Sequence, residues 1–157
     1  MGTAKIDEKG VVVSCSGCGQ RNRLPYDKMA GDGACGKCGS ALPRPSEPID
    51  VESELHFQTL ISQSSLPVVV DFWAPWCPPC RAVAPELVKV AAASAGEFLV
   101  AKVNTEALPN LGARLQIRSI PTMAVFQKGV EVTRTMGARP AAQIEAFVRD
   151  SLGVGVR

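Results

Sequence analysis

The chain has 157 residues, a formal net charge of +2, 46% hydrophobic residues and 20% charged residues. This length allows a single domain, or a small module joined to a domain of about 100 residues. The apolar fraction is enough for a packed core, and the low net charge provides no electrostatic basis for binding nucleic acid or a membrane. The first residues lack the apolar region of a secretory signal. We therefore expect a cytoplasmic protein, in which paired cysteines bind metal or carry out redox chemistry.

The first 42 residues hold four of the six cysteines. Their spacing is Cys15-x2-Cys18-x16-Cys35-x2-Cys38. This spacing lies in the zinc-ribbon range, and each pair is followed by a glycine, Gly19 or Gly39, that can adopt the positive φ of a metal knuckle. Residues 1–42 contain few large apolar side chains, so we predict that they fold around one zinc ion held by four thiolates. A rubredoxin-like iron site and two local disulfides are the alternatives.

Residues 43–49 form the predicted linker. Three prolines in Pro43-Arg-Pro-Ser-Glu-Pro48 indicate an extended, stiff connection. We therefore expect a zinc-binding module in residues 1–42 and a second domain in residues 50–157, each with its own core.

After the linker, short apolar runs alternate with helical periodicity. In chain order, we predict a helix capped by Ser53, a strand at 68–73, a helix over 83–91, a strand at 98–103, a short helix near 108–115 and a hairpin over 123–135. A last helix should start at Pro140 with Arg139 as its cap. Its predicted buried residues are Ile144, Phe147, Val148 and Leu152. With a first strand before Ser53, the order β-α-β-α-β-α-β-β-α predicts an α/β fold, in which helices flank a mixed central sheet.

The third cysteine pair directly follows the predicted strand at 68–73. A helix tolerates Pro78 and Pro79 only in its first turn, so Cys77-Pro-Pro-Cys80 should open a helix. The segments that carry a resemblance are Val70-Asp-Phe-Trp-Ala-Pro-Trp-Cys-Pro-Pro-Cys80, Ile117-Arg-Ser-Ile-Pro-Thr122 and Met136-Gly-Ala138. They resemble the thioredoxin family over about residues 50–152, and with the four-cysteine module the whole chain is similar to the zinc-carrying thioredoxin 2 branch. The family usually has glycine where this chain has Pro78.

The chemistry of the third pair agrees with this resemblance. Cys77, exposed at the end of a strand, is the predicted nucleophile, because a helix N-terminus favours its thiolate. Cys80 would then resolve the mixed disulfide. Asp71 lies inside an apolar strand and needs a partner, for which we predict Lys102 on the adjacent strand. The resemblance implies that Asp71 helps to deprotonate Cys80 with Lys102 as modulator, whereas a purely structural Asp71–Lys102 pair is the alternative.

The resemblance also implies a cis bond between Ile120 and Pro121, next to a shallow groove that binds an extended substrate strand. The predicted groove residues are Trp76, Pro79, Ile120, Pro121, Met136 and Gly137.

Together these residues predict a cytosolic protein-disulfide reductase. It would be a monomer without an organic cofactor, recharged by an NADPH-dependent thioredoxin reductase and acting on disulfide-containing proteins. Two alternatives stay open. The Pro78-Pro79 pair is compatible with a disulfide oxidase or isomerase, and the metal module with a zinc-dependent, redox-sensing adaptor or holdase.

Overall fold

The computed structural model describes residues 3–153, so residues 1–2 and 154–157 of the two predicted units lie outside it. The elements are β1 (Gly10–Ser14), β2 (Arg21–Pro25), β3 (Ile49–Val51), α1 (Glu54–Gln63), β4 (Val68–Trp73), α2 (Pro78–Ala93), β5 (Leu99–Asn104), α3 (Pro109–Arg114), β6 (Thr122–Gln127), β7 (Val130–Met136) and α4 (Ala141–Ser151), with one 3-10 turn at Tyr26–Lys28. Within residues 3–153, no helix is long and apolar enough to cross a membrane.

A five-stranded mixed sheet forms the centre of the molecule, with strand order β3-β5-β4-β6-β7. Strands β3, β5 and β4 run parallel to one another, β6 runs antiparallel to β4, and β7 runs antiparallel to β6. The apolar run of β4 lies in the middle of this sheet, where both of its faces are covered. The predicted α/β fold and the order of its elements are confirmed.

Alternating side chains of β4 build two cores, one on each face of the sheet. Val68 and Val70 pack with α1, and Val69 packs with α2 and α4. Asp71 follows Val69 at a spacing of two, so it points to the face that α2 covers. The buried carboxylate and the helix that carries the third cysteine pair therefore lie on the same face.

The helix ends follow local capping rules. Ser53 Oγ accepts a hydrogen bond from the His56 backbone N–H at 3.0 Å, as predicted for the start of α1. The predicted cap of α4 is wrong by one residue. Pro140 has extended backbone angles, and its carbonyl accepts from the Ile144 N–H at 3.1 Å, so Pro140 rather than Arg139 is the N-cap.

The N-terminal module contains a two-stranded hairpin, β1–β2. The first cysteine pair lies in the turn between the two strands, and the second pair lies in the segment that follows β2. The module is joined to the edge of the sheet by backbone hydrogen bonds. The Ala4 N–H donates to the Pro48 carbonyl at 2.9 Å, and the Asp50 N–H donates to the Ala4 carbonyl at 3.1 Å. These bonds cover the free edge of β3, which an open sheet would otherwise expose.

The expected separation of the two cores is wrong. Leu24, Tyr26 and Met29 of the module belong to one continuous cluster with Phe57 and Leu60 of α1. The Tyr26 carbonyl also accepts from the Ser65 backbone N–H at 2.9 Å. The module has too few apolar side chains to bury one another, so they bury themselves against α1 instead. The boundaries at 42/43 and 49/50 remain a prediction, but the joining segment is packed, with Pro45 and Pro48 buried.

Candidate active site and metal centre

The Cys77-Pro-Pro-Cys80 segment lies where β4 ends and α2 begins. Cys77 is the N-cap of α2, and both prolines occupy the first turn, as predicted. A disulfide joins Cys77 and Cys80 in this structure. Each of these two residues is only 3% exposed, so Cys77 is more buried than its place at a strand end suggests. The side chains of Trp73 and Ile120 pack around the pair.

The sulfur of Cys77 lies at the positive end of α2. Its Sγ accepts a hydrogen bond from the Cys80 backbone N–H at 3.2 Å. A backbone donor and the helix dipole both stabilise negative charge at this position. The geometry therefore suits a sulfur that becomes a thiolate once the disulfide is reduced.

Asp71 is a buried carboxyl group on β4, the strand that leads to the redox pair. It is 1% exposed, and within residues 3–153 neither of its carboxylate oxygens has a hydrogen-bond partner. Burial raises the pKa of Asp71 from 3.8 to about 7, although the charge of Lys102 opposes this change. A carboxyl group with such a pKa can both take and release a proton near neutral pH.

Lys102 lies beside Asp71 in the register of the parallel strands β4 and β5. The predicted close pair of Asp71 and Lys102 is only partly formed, because the Asp71 oxygens accept no hydrogen bond from the lysine. The Lys102 Nζ instead lies 4.8 Å from the centre of the Trp73 ring, a cation–π contact. Lys102 therefore acts on Asp71 through its charge, and the aromatic ring holds that charge in place.

Three of the predicted groove residues, Ile120, Pro121 and Gly137, are linked in one loop region next to the disulfide. The Ile120–Pro121 bond is cis, and the Ile120 carbonyl lies 3.8 Å from the Cys77 sulfur. Gly137 has φ +94° and donates its N–H to the Pro121 carbonyl at 2.9 Å, which holds the end of β7 against this loop. Trp76 and Met136 are 63% and 64% exposed, and Pro79 is exposed as well. That the six residues form one substrate groove stays a prediction.

A cavity of about 360 Å³ continues the groove from Trp76 towards α3. Its other walls include Pro109 and Ile117. The Trp76 indole N–H is hydrogen-bonded to the Glu106 carboxylate. The sequence does not indicate this role of Glu106, because a lone acidic residue in a loop has no pattern that links it to a tryptophan 30 positions earlier.

The four cysteines of the module converge on one point. All four sulfurs lie within 4.8 Å of one another and are free of disulfides, which excludes the alternative of two local bridges in this structure. The Cys15–Cys38 and Cys18–Cys35 sulfur distances are 3.6 Å and 3.7 Å. A tetrahedral ion with metal–sulfur bonds of about 2.3 Å places its sulfurs about 3.8 Å apart. The donor set therefore fits a single tetrahedral metal ion.

Backbone and side-chain donors surround these sulfurs. Gly19 and Gly39, which end the two knuckles, both have φ +79°. The Gly17 N–H donates to the Cys15 Sγ at 3.3 Å, and the Lys37 N–H donates to the Cys35 Sγ at 3.4 Å. Such donors stabilise thiolate charge at a metal site.

Asn22 on β2 is a site residue that the sequence did not indicate. Its side-chain amide donates to the Cys35 Sγ at 3.4 Å, and its oxygen accepts from the Gly36 N–H at 3.0 Å. The Cys38 backbone N–H and then the Asn22 amide lower the pKa of Cys35 to about 6. Only the folded hairpin shows that Asn22 lies across from the second knuckle.

Two family models match this chain. One, described as Thioredoxin, matches residues 48–150, and the other, described as Thioredoxin 2, N-terminal, matches residues 14–40.

Thioredoxin C-3 of Corynebacterium nephridii is 40% identical over 143 residues, which cover 90% of this chain and 96% of that protein. The thioredoxin of Synechocystis sp. is 44% identical over 100 residues, which cover 64% of this chain and 94% of that protein.

Solved structures show the same fold. The thioredoxin of Malassezia sympodialis superposes with a TM-score of 0.61 at 25% identity, covering 69% of this chain and 93% of that chain. A thioredoxin variant from Halobacterium salinarum gives a TM-score of 0.63 at 24% identity, over 68% of this chain and 92% of that one. The fold, the redox pair at the start of α2 and the family matches agree: the chain belongs to the thioredoxin family of thiol-disulfide oxidoreductases and carries the zinc-ribbon module of the thioredoxin 2 proteins.

Proposed function

We propose that this protein is a cytosolic protein-disulfide reductase that uses Cys77 and Cys80 as a dithiol-disulfide couple. The observation that supports this most directly is the position of Cys77, whose sulfur accepts a backbone hydrogen bond at the N-terminus of α2 and lies beside an apolar groove. A substrate cysteine that enters the groove would meet this sulfur first.

The reaction begins with the reduced couple. The Cys77 thiolate attacks one sulfur of the substrate disulfide, and the other substrate sulfur leaves as a thiolate that takes up a proton. The Cys80 thiolate then attacks the Cys77 sulfur and releases the second substrate thiolate. The substrate gains two electrons, and Cys77 and Cys80 end in the disulfide that this structure contains.

Asp71 supplies the base for the second step. Cys80 must lose its proton before it can attack, and Asp71 is a carboxyl group whose pKa of about 7 allows it to accept a proton at neutral pH. Lys102 favours the charged form of Asp71 and so adjusts how readily the proton is taken.

The groove binds the substrate as an extended strand. Trp76 and Met136 provide apolar contacts on either side of the redox pair, and the backbone near Ile120 and Pro121 offers hydrogen bonds to the substrate main chain. This kind of recognition depends little on substrate side chains, which suits a general reductase.

The module holds one zinc ion through Cys15, Cys18, Cys35 and Cys38. Four thiolates at tetrahedral separations suit zinc, and a fully occupied donor set gives the ion a structural rather than a catalytic role. Paired cysteines that bind metal are typical of proteins in a reducing compartment, which supports a cytosolic location. A thioredoxin reductase that uses NADPH would return the couple to its dithiol form.

Insulin reduction with NADPH and thioredoxin reductase tests this proposal, with zinc measured on the same sample. Cys77→Ser should abolish turnover, whereas the matched variant Cys80→Ser should accumulate a mixed disulfide, which mass spectrometry detects. Turnover by Cys77→Ser at a rate comparable to the wild type would refute the assignment of the nucleophile. A reduction potential near −270 mV is expected for a reductant, and a value of about −120 to −180 mV would instead indicate an oxidase or isomerase.

A further inference from the structure

Arg134 on β7 makes four hydrogen bonds, two within its own strand and two to the segment that follows α3. Its Nε and one terminal nitrogen donate to the two Glu131 oxygens at 2.6 Å and 2.8 Å. The terminal nitrogens also donate to the Leu115 carbonyl at 2.9 Å and to the Gln116 carbonyl at 3.2 Å. The Arg134 side chain therefore ties the segment that follows α3 to the strand β7.

A β-bulge makes this arrangement possible. Side chains three apart in a regular strand point to opposite faces of the sheet. In β7, however, Glu131 pairs with Phe126 and Thr133 pairs with Val125, so Val132 is an extra residue. The bulge brings the Glu131 and Arg134 side chains to the same side of the sheet, where both carboxylate oxygens accept hydrogen bonds from the guanidinium group.

The two carbonyls that Arg134 binds lie at a point of backbone strain. Leu115 is the C-cap of α3, and the next residue, Gln116, has φ +57°, in the left-handed region that a residue with a side chain rarely adopts. Unpaired carbonyls at a helix C-terminus attract positive charge. Arg134 satisfies these carbonyls and so stabilises the turn.

The turn leads directly into the substrate groove. Residues 117–120 connect Gln116 to the cis bond at Pro121, and all four line the cavity of about 360 Å³ beside Trp76. Two other hydrogen bonds anchor this segment: the Ile117 N–H donates to the Gly112 carbonyl at 2.9 Å, and the Thr122 hydroxyl donates to the Ser119 carbonyl at 2.6 Å.

We propose that Arg134, oriented by Glu131, is a positioning residue that fixes segment 115–120 and thereby sets the wall of the substrate groove. It does not touch the redox pair; it acts through the backbone that it binds. This inference rests on the proposed function for its kinetic consequence. Its structural part, the ordering of the segment, holds independently of which disulfides the protein reduces.

Arg134→Met tests the proposal, because methionine keeps an apolar stem and removes the nitrogen atoms that donate all four hydrogen bonds. The matched control is Arg149→Met. Arg149 is also paired with acidic side chains, Glu97 and Glu145, but with no backbone carbonyl, and its side chain is 28% exposed against 32% for Arg134. It lies on α4 and contacts no groove residue through these bonds.

Two measurements on the full-length, metal-loaded proteins distinguish a positioning role from a general loss of stability. With a disulfide-linked peptide as substrate, Arg134→Met should raise KM at least threefold and change kcat less than twofold, whereas Arg149→Met should change neither. Amide hydrogen exchange of Ile117, whose N–H is hydrogen-bonded to the Gly112 carbonyl, should become at least tenfold faster in Arg134→Met only. Arg134→Lys should restore part of the protection, since it keeps the charge but not the fork of donors.

An unchanged KM together with unchanged exchange in Arg134→Met would overturn the proposal, as would the same changes in Arg149→Met. If the wild-type protein reduced no peptide disulfide, the proposed function would fail, and the exchange measurement would still decide the positioning role. If Arg134→Met did not fold, Glu131→Gln, which frees the guanidinium while keeping the shape of the carboxylate, should give the same changes at smaller size. A Glu131→Gln protein with wild-type exchange at the Ile117 amide would then refute the proposal.

Discussion

Replacing Asp71 with asparagine should stabilise the protein, and the gain should grow with pH. Asp71 has a pKa of about 7 in the folded protein and 3.8 as its ordinary value. Between these two values the folded state keeps a proton that the unfolded state has lost. The free energy of unfolding therefore falls as the pH rises through this range, and the loss is complete above pH 7.

The structure sets the size of this effect. A pKa difference of about 3 corresponds to about 4 kcal/mol of stability lost by the wild type at high pH. Asparagine has the shape of the neutral carboxyl group and cannot ionise, so the variant escapes this loss. Between pH 5 and pH 8, the difference in unfolding free energy, variant minus wild type, should rise by roughly 2 to 3 kcal/mol.

Guanidinium unfolding at pH 5, 6, 7 and 8 measures this difference. Both proteins should carry the Cys77–Cys80 disulfide so that these two cysteines do not titrate. Subtracting the wild-type unfolding free energy from that of the variant cancels the contribution of the metal cluster, which both proteins share. Asp150→Asn, at the exposed end of α4, controls for the loss of one negative charge. A difference for Asp71→Asn that stays constant with pH would refute the reasoning, because the carboxyl group could then not be held neutral by burial.

Three further predictions concern the metal centre and the start of α2. Removing the metal with a chelator should lower the unfolding midpoint of the whole chain, because Leu24 and Tyr26 share a core with α1; calorimetry that shows an unchanged main transition would contradict this. Asn22→Ala removes a hydrogen-bond donor to Cys35, so this variant should release the metal to a chromogenic chelator at least about 10-fold faster than the wild type. An unchanged release rate would mean that this hydrogen bond does not help to hold the ion. Pro78→Gly should raise the reduction potential by about 30 mV or less in a glutathione redox titration, because glycine restores a first-turn N–H near Cys77 and frees the dithiol chain. A clear fall in potential would favour the oxidase or isomerase interpretation.

Features that depend on neighbours in the sequence could be predicted from it. The strand predicted at 68–73 is β4 with the same bounds, because a strand covered on both faces requires an uninterrupted apolar run. The prolines of the third cysteine pair fixed the start of α2, since they are compatible with few other positions in a helix. The metal cluster followed from spacing and glycine placement alone.

Features that depend on distant contacts could not. The docking of the module on α1 rests on side chains such as Tyr26, whose partner surface is defined only after the helix has formed. The bulge at Val132 leaves no trace in residue type, yet it decides which way Arg134 points. The engagement of Lys102 by the Trp73 ring is likewise a matter of side-chain rotamers, whereas the sequence indicated only that the lysine and Asp71 would be close.

The contact between Ala4 and Ile49 has a consequence for the order of assembly. These residues are 45 positions apart in the chain, so forming their bridge closes a long loop and costs conformational entropy. An ion that joins Cys15 to Cys38 cross-links two points within this loop. The effective loop that remains to be closed is then about half as long. By the logarithmic dependence on loop length, a halving lowers the entropic cost by about 0.6 kcal/mol. The bound ion therefore lowers the entropic cost of docking the module on the edge of the sheet as well as holding the knuckles together.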